Sequence, residues 1–237
     1  MRFDVLTLFP GMVRDAMNVS VTGRAIGEGL IDFGVHDIRE YSDNKHRNVD
    51  DTPYGGGAGM VMAPGPIVRC LEALRADTGR MHTVLLSPAG RVFDQSVAAE
   101  YASLPGVTFI CGRYEGVDER VGAWVDEQLS IGDFVLTGGE LGALVVMDAT
   151  ARLLPGVLGN EESSMDESWS HGLVEYPQYT RPRDFRGHRV PDVLLNGNHA
   201  AIAQWRRLQS LTRTKTDRPD RWSEQDLSLD DKKLLET

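Results

Sequence analysis

Three glycine-containing segments of this 237-residue chain are candidates for ligand binding, because each of them follows a strand-like run. They are Ser87 to Gly90, Cys111 to Gly116 and Ser130 to Glu140. In an open parallel sheet, ligands bind outside the carboxyl ends of the strands, and glycine lets the backbone approach a flat ring closely. Each segment taken singly is explained as an ordinary turn between a strand and a helix. The three together predict a shared ligand pocket.

Several other ligand classes are excluded by the motifs that the sequence lacks. It contains no Gly-x-x-x-x-Gly-Lys-[Ser/Thr] phosphate loop and no Gly-x-Gly-x-x-Gly after the first strand. The run Tyr54 to Gly59 resembles a phosphate-binding loop, but it follows no strand and no Lys, Ser or Thr closes it. The six histidines have no paired spacing suited to zinc, and no nucleophile elbow is present. We therefore expect no metal site.

The elements that must position these loops alternate between strand-like and helix-like segments. Short β-branched runs bounded by Gly or Pro predict strands, and apolar residues at helical spacing predict helices between them. Such alternation indicates an α/β fold with a mainly parallel sheet. Gly139 to Leu154 is apolar almost all round and predicts a buried helix that Pro155-Gly156 ends. The strands are expected at Phe3–Phe9, Ile31–Ile38, Thr83–Leu86 and Val107–Cys111, and the other helices at Pro64–Asp77 and Asp94–Ser103.

Composition is that of a globular protein, with 41% hydrophobic and 25% charged residues. The longest apolar run near a helix, Leu141 to Met147, is far shorter than the roughly 20 residues of a membrane span. The N-terminus predicts a first strand and has no signal-peptide cleavage site. Two widely spaced cysteines, Cys70 and Cys111, predict neither a disulfide framework nor a zinc knuckle. A reducing cytoplasm is the expected compartment.

Charge divides the chain into an acidic body and a basic C-terminal part. The net charge is −10, yet residues 174–237 hold 12 basic and 10 acidic residues. Residues 181–218 alone hold 9 basic and 3 acidic residues, a surplus that suits contact with phosphates, although a solvated basic surface is the ordinary alternative. Asn198 is a predicted N-cap of a helix with Ile202, Trp205 and Leu208 inward. On the same helix, Arg206, Arg207 and Arg213 are predicted to face outward.

Six strings in this chain together resemble the bacterial tRNA (guanine-N1)-methyltransferases of the SPOUT class, the TrmD family. The resemblance covers nearly the whole chain and fades after about Arg218. The strings are long and occur in the family's order, which makes them more specific than any single motif. They are Asp50 to Met60, Cys111 to Arg120, Ser130 to Glu140, Pro155 to Gly159, Tyr179 to Pro182 and Leu195 to His199.

The resemblance implies a fold and partners that the patterns alone do not give. It implies a deep trefoil knot through the three loops, a rare exception to the rule against threaded chains. It also implies S-adenosylmethionine as cofactor, tRNA as substrate, and a homodimer with each active site between subunits. The implied division is a knotted catalytic domain at 1–159, a flexible linker at 160–173 and a mainly helical tRNA-binding domain at 174–237. The residues implied to hold the cofactor are Gly112 and Ile131, Gly132, Asp133, Phe134, Val135 and Leu136, with Leu86, Ser87, Pro88, Tyr114, Glu115, Gly138 and Gly139 nearby; Arg181 joins the three helix arginines as an expected tRNA contact.

The reaction that the resemblance implies is methylation of N1 of guanosine 37, just 3′ of the anticodon. N1 carries a proton, so a base must remove it, and the negative charge that develops on O6 needs a cation or donor. Aligning the linker between its flanking glycines implies Glu167 as the base, where relatives usually have aspartate, and Arg152 as the assisting arginine. A register shifted by one residue would instead make Asp166 the base.

Two other classes of function stay open from the sequence. One is a non-catalytic RNA-binding protein that keeps the fold, and the other is a methyltransferase of the same superfamily that acts on the ribose 2′-oxygen. A second departure from the family is Gly142, where many relatives have proline, and we expect it to loosen the end of the loop.

Overall fold

The computed structural model describes residues 1–159, 168–169, 172–223 and 227–236 of the chain. The chain is divided into two compact units, Met1–Glu161 and Glu162–Thr237. The boundary between the units falls inside the segment 160–173 that was expected to be a linker. Within the described ranges, no helix is both long enough and apolar enough to cross a membrane.

A five-stranded parallel sheet forms the centre of the first unit. Its strands are β1 (Arg2–Thr7), β2 (Asp32–Asp37), β5 (His82–Val92), β6 (Gly106–Cys111) and β7 (Glu127–Ser130). Their order across the sheet is β2-β1-β6-β5-β7. Two further strands, β3 (Asp50–Asp51) and β4 (Val61–Met62), form a separate antiparallel pair. The predicted α/β class with a mainly parallel sheet is confirmed.

Central strands of the sheet are buried, as expected for a parallel sheet with helices on both faces. All six residues of β6 are buried, and the four predicted strands all occur. Two features differ from the prediction. β5 continues to Val92, because Arg91 and Val92 pair with β7 after a register shift that begins at Leu86. β7 itself, Glu-Gln-Leu-Ser, was not predicted, because three of its four residues are polar and none is β-branched.

Helices connect the strands, and capping residues, proline and glycine mark where they begin and end. Pro64 stands in the first turn of the longest of them, and Gly79, at a φ of 79°, ends it in a left-handed conformation. The carboxylate of Asp94 accepts hydrogen bonds from the N–H groups of Ser96 and Val97, which caps the next helix. The helices of the first unit are α1 (Pro10–Met17), α2 (Ser20–Gly27), α3 (Pro64–Thr78), α4 (Gln95–Ala102) and α5 (Glu140–Ala151).

Two buried apolar clusters contain alternate residues of the sheet. Phe3 and Phe109 belong to one cluster, together with residues of α5. Leu6 and Ile110 belong to the other, together with residues of α3. Because successive side chains of a strand point to opposite faces, the sheet forms the middle layer between these helices. The carboxyl ends of β5, β6 and β7 are therefore held by a packed core.

α5 corrects one prediction from the sequence. The helix was expected to be buried on all sides, but Leu141 and Val145 are 47% and 49% exposed. They stand four residues apart on one side of the helix, whereas Ala143, Val146 and Met147 pack into the core. The sheet covers only one side of α5, so its apolar character all round leaves an exposed apolar stripe in the single chain.

The second unit contains a long helix, a short helix and a small hairpin. These are α6 (His199–Asp217), α7 (Leu229–Leu235) and the antiparallel pair β8 (Asp184–Phe185) and β9 (His188–Arg189). The predicted N-cap of α6 is confirmed, because the side chain of Asn198 accepts a hydrogen bond from Ala201 N at 3.2 Å. Ser228 and Asp231 form a reciprocal capping box at the start of α7.

The buried face of α6 differs from the predicted one. Its fully buried residues are Ser210, Leu211 and Thr214, whereas the predicted inward residues Ile202, Trp205 and Leu208 are only half-buried. The helical pattern located an apolar stripe correctly, but the fold buries the side that carries small polar residues. There the Thr214 hydroxyl donates to Ser210 O and accepts from Val174 N, which satisfies it without water.

Candidate functional site

A cavity of about 320 Å³ lies in the first unit, where the carboxyl ends of β5, β6 and β7 are adjacent. Segments from all three predicted glycine loops line it. Of the residues expected to contact a cofactor, all except Asp133 belong to its wall. Those that the structure brings together there are Leu86, Ser87, Pro88, Gly112, Tyr114, Glu115, Ile131, Gly132, Phe134, Val135, Leu136, Gly138 and Gly139.

Glycine is required at the point where two of these loops meet. Gly139 N donates to Gly112 O at 3.0 Å, and a Cβ on Gly139 would come 2.9 Å from the Cα of Cys111. A Cβ on Gly138 would meet the side chain of Arg113, which pairs with Gly138 in an isolated bridge. The loop after β6 and the loop before α5 therefore touch through their backbones, which leaves room for a ligand on the other side.

A buried ion pair connects the loop after β6 to the start of α5. Glu140, the first residue of α5, has no solvent exposure, and its Oε2 lies 2.9 Å from Nη2 of Arg113. Its Oε1 accepts a hydrogen bond from the Thr7 hydroxyl at 2.7 Å. Arg113 also donates from Nη1 to Thr137 O at 3.1 Å. One carboxylate thus connects the ends of β1 and β6 to the start of α5.

The Arg113 guanidinium is further restrained by an aromatic ring. Its Cζ lies 4.4 Å from the centre of the Phe9 ring, and the Cζ of Arg39 lies 5.5 Å from the same ring. Stacking of this kind suits the planar guanidinium. Phe9 is partly exposed, and its ring holds the guanidinium groups of Arg113 and Arg39 in place.

Cys111 ends β6 next to this pair and is fully buried. Burial raises the pKa of its thiol well above the usual value, and the nearby Glu140 carboxylate raises that pKa further. The thiol is therefore neutral at physiological pH and is not a nucleophile. Within residues 1–159, 168–169, 172–223 and 227–236, no three His, Cys, Asp or Glu side chains are grouped as they would be around a metal ion.

Apolar side chains around the cavity are unusually exposed for their type. Tyr114, Phe134, Val135 and Leu136 all lie on its wall with a third or more of their surface in solvent. Exposed apolar surface of this kind marks a binding site more often than a free surface. The backbone at Gly132 has a φ of 143°, a conformation that side chains rarely adopt, and Ser130 Oγ accepts a hydrogen bond from its N–H. The loop is shaped to expose its apolar side chains to a ligand.

Comparison with known proteins decides the family. The profile described as tRNA (Guanine-1)-methyltransferase TrmD matches residues 1–224. The chain belongs to this family. Proteins named tRNA (guanine-N(1)-)-methyltransferase from Pediococcus pentosaceus and Clostridium novyi are 51% and 52% identical to it. The alignments cover 99% and 100% of this chain, and 97% of each relative. A protein of the same name from Latilactobacillus sakei is 52% identical over 236 residues.

Glu167 and Asp166, the two candidates for the base, are outside the described residues. Arg152 immediately follows α5, is half-buried, and donates its backbone N–H to Asp148 O at 3.2 Å.

The arginines that were predicted to contact tRNA differ in their surroundings. Arg181 is exposed. Arg207 forms two hydrogen bonds to Asp231, at 2.7 and 2.9 Å, and Arg213 donates to Glu175 O at 3.0 Å. Arg206 is half-buried, with its Cζ 4.6 Å from the centre of the Tyr176 ring. The expectation that the three helix arginines simply face outward is wrong for Arg206 and Arg213, because each contacts the segment before the hairpin.

Sequence reasoning missed several residues of the wall. Arg113 lies inside the quoted string Cys111 to Arg120, but its type gave no sign of a structural ion pair. The partner Glu140 closes the string Ser130 to Glu140, so the pair of charges at the ends of two glycine loops was the available signal. Gly142, in the first turn of α5, also lines the cavity. The other lining residues that were not expected to contact a cofactor are Leu85, Gly116, Val117, Asp118, Glu119, Gly122, Gln128, Leu129, Ser130 and Thr137.

Proposed function

We propose that the protein methylates N1 of the guanosine at tRNA position 37, with S-adenosylmethionine as the methyl donor. The observation that carries this proposal is the cavity itself. Three separate glycine loops of a TrmD family chain line one cavity, and all but one of the residues expected to hold the cofactor are in its wall.

The residues of the cavity suit S-adenosylmethionine. Gly112, Gly138 and Gly139 let the loops pack closely on neighbouring groups, because a Cβ at each would meet one. The cavity that these loops line is within the size range of small-molecule sites. The exposed side chains of Tyr114 and Phe134 offer apolar contact, and Glu115 offers a carboxylate for a polar or cationic group. When bound, this cofactor supplies an electrophilic methyl group. We also propose that the chain threads these loops as the deep trefoil knot of the SPOUT class.

The base in this proposal is Glu167. N1 of guanine is a poor nucleophile until its proton leaves, and a carboxylate in hydrogen-bond reach of N1 removes that proton. Arg152 then stabilises the negative charge that develops on O6. Neither cysteine offers a competing nucleophile, since Cys70 and Cys111 are both buried and burial raises the pKa of each thiol.

A homodimer is supported by an exposed apolar surface on two neighbouring helices. Leu141 and Val145 of α5 and Met12 of α1, together with Phe9 at the start of α1, expose between two fifths and one half of their surfaces. α1 and α5 pack against each other in the first unit. A contiguous apolar face of this kind is typical of subunit contacts. We propose that it joins two protomers, so that each active site takes its cofactor loops from one chain and its base from the other.

The second unit is the proposed tRNA-binding part, with its basic surplus at residues 181–218. The cytoplasm is the proposed compartment, because charged tRNA is used there and both cysteines are free thiols, as expected in a reducing environment.

The cofactor site is tested by a loop substitution with a neighbouring control. Gly132→Val places a branched side chain at a φ of 143° and within 2.6 Å of the Phe134 ring, so the loop must move. We expect calorimetry to show at least tenfold weaker binding of S-adenosylmethionine. Asp133→Asn, at the one expected residue that does not line the cavity, should bind within about twofold of wild type. Unchanged affinity in a folded Gly132→Val protein contradicts this placement.

The base is tested by single-turnover methyl transfer. Glu167→Gln keeps the shape and removes the base, so the rate should fall by about a hundred- to ten-thousand-fold, with little change in tRNA affinity. Glu167→Asp should stay substantially active, and Arg152→Ala should lower the rate more than the affinity. The matched control is Asp166→Asn, which should cost much less. If Asp166→Asn is the inactive variant, the linker register is wrong by one residue. Mass spectrometry of the digested product must show 1-methylguanosine; a 2′-O-methylated nucleoside would overturn the reaction itself.

The shared active site is tested by complementation between two inactive chains. A Gly132→Val chain and a Glu167→Gln chain are each expected to be nearly inactive. In a mixed dimer, one of the two sites regains intact loops and an intact base, so mixing should restore up to about half of the wild-type activity of those dimers. Differently tagged chains show how many mixed dimers form. Mixed dimers without activity would place loops and base in the same chain.

A further inference from the structure

The second unit contains a cavity of its own that the proposed reaction does not use. Its volume is about 420 Å³. Two aromatic side chains, Tyr179 and Trp205, stand at its wall with ring centres 6.3 Å apart and planes tilted by 52°. Leu194, Leu195 and Ile202 supply apolar surface. An aromatic and apolar cavity of this size accommodates a flat heterocyclic ring.

Cations surround this cavity. Arg181 and Arg183 both line it, and Arg181 is exposed. Among the described residues Arg181 has no acidic partner, whereas Arg183 pairs with Asp192 at 2.9 Å on the surface. The hairpin that follows adds Arg186 and Arg189, so residues 181–190 hold four arginines against one acid, Asp184. Arg189 lies 4.0 Å from the Asp184 carboxylate, so Arg181 is the lining arginine that keeps its charge free. Aromatic rings beside a free cation are typical of sites that bind single-stranded RNA.

A buried donor near the cavity lacks an acceptor. Arg206 lines the cavity, and its Nε is buried without a hydrogen-bond acceptor among the described residues. Its guanidinium is held over the Tyr176 ring, so it cannot easily turn to solvent. A buried N–H without a partner costs free energy, and a carbonyl or ring nitrogen of an inserted base is a suitable acceptor.

We propose that this cavity binds one unstacked nucleobase of the tRNA, with the adjoining phosphate on Arg181. The base stacks on Tyr179 or Trp205, and the hairpin arginines follow the backbone on either side. This inference rests on the proposed function for the identity of the RNA. It moves the main RNA contact of the second unit from the α6 arginines, which have partners within the protein, to the segment 176–190.

The first test compares two aromatic residues that differ in position. Tyr179 is 47% exposed and lines the cavity, whereas Phe185 is 60% exposed on the hairpin and does not. Because a stacked base is worth a measurable share of the affinity, Tyr179→Ala should weaken binding of the full tRNA between about five- and a hundredfold. Phe185→Ala should weaken it less than Tyr179→Ala does, because Phe185 does not line the cavity and supports Arg186, whose Cζ lies 5.4 Å from its ring. Neither variant should alter affinity for S-adenosylmethionine, because both lie outside the first unit.

The second test identifies the base through tRNAs that each lack one nucleobase. At one position, removal of the base should weaken binding to the wild-type protein but not to Tyr179→Ala, because the contact is already lost. Arg181→Gln should also reduce the salt dependence of tRNA binding by about one ion, and Lys233→Gln, an exposed cation on α7, should not.

Three outcomes would overturn the proposal. In the first, the losses of tRNA-binding free energy from base removal and from Tyr179→Ala are additive at every position. In the second, Tyr179→Ala leaves tRNA affinity unchanged. In the third, Tyr179→Ala weakens the dimer and not RNA binding, which would make the cavity a contact between subunits. The proposed reaction is judged separately by 1-methylguanosine formation in the wild-type protein. Suppose that 1-methylguanosine is absent, while removal of one base weakens binding to the wild type but not to Tyr179→Ala. The proposed reaction is then wrong and the assignment of the cavity stands.

Discussion

A carboxylate without solvent exposure, Glu140, sets the main constraint on the first unit. A buried charge is tolerated only if it is paired and hydrogen-bonded, and Glu140 meets that condition through Arg113 and Thr7. Its partners come from the ends of two different strands, β6 and β1, while Glu140 itself starts α5. Satisfying one charge therefore brings three chain segments to fixed positions. Arg113, Gly138 and Gly139 line the cavity next to this junction. The two glycines permit the close approach of the loops that carry Arg113 and Glu140.

The second unit uses the same principle with a different consequence. Asp231 is almost fully buried, and hydrogen bonds from Arg207 lower its pKa to about 2. This carboxylate caps α7 and holds it against α6, so Arg207 serves the fold. The stabilisation is complete above the ordinary pKa of aspartate and is lost as the pH falls towards about 2. Arg181, by contrast, is exposed, and the RNA contact proposed for the second unit is placed on it.

Sequence patterns predicted the parts of this protein that depend on local chemistry. The four apolar strands, helices α3 and α4 and the Asn198 cap follow from apolar periodicity and capping, and each is present. β7 was missed because Glu127 and Gln128 give it no apolar signature; it is a strand only because β5 offers it a partner. The exposed stripe on α5 was missed because apolar character does not show which side the sheet covers.

The sequence predicted which loops form the site but not how the sheet brings them together. That the loops meet depends on the order β6-β5-β7 in the sheet, which the strand pattern does not contain. The contacts of Arg113, Arg207 and Arg213 within the protein depend on acceptors that are distant in sequence, so charge counting could not predict them. The tRNA contact expected of Arg207 and Arg213 stays a prediction. The linker acids Glu167 and Asp166 rest on the family resemblance alone, because they lie outside the described residues.

A double-mutant cycle on Arg113 and Glu140 tests most directly whether the buried ion pair holds the cofactor loops. The measurement is calorimetric affinity for S-adenosylmethionine, with thermal unfolding alongside, for wild type, Arg113→Met, Glu140→Gln and the double variant. We expect each single change to weaken cofactor binding and to lower the melting temperature. The double variant should bind the cofactor little more weakly than the weaker-binding single variant, with a coupling free energy of about 1 kcal/mol or more. Additive effects, or single variants with wild-type cofactor affinity, would contradict it.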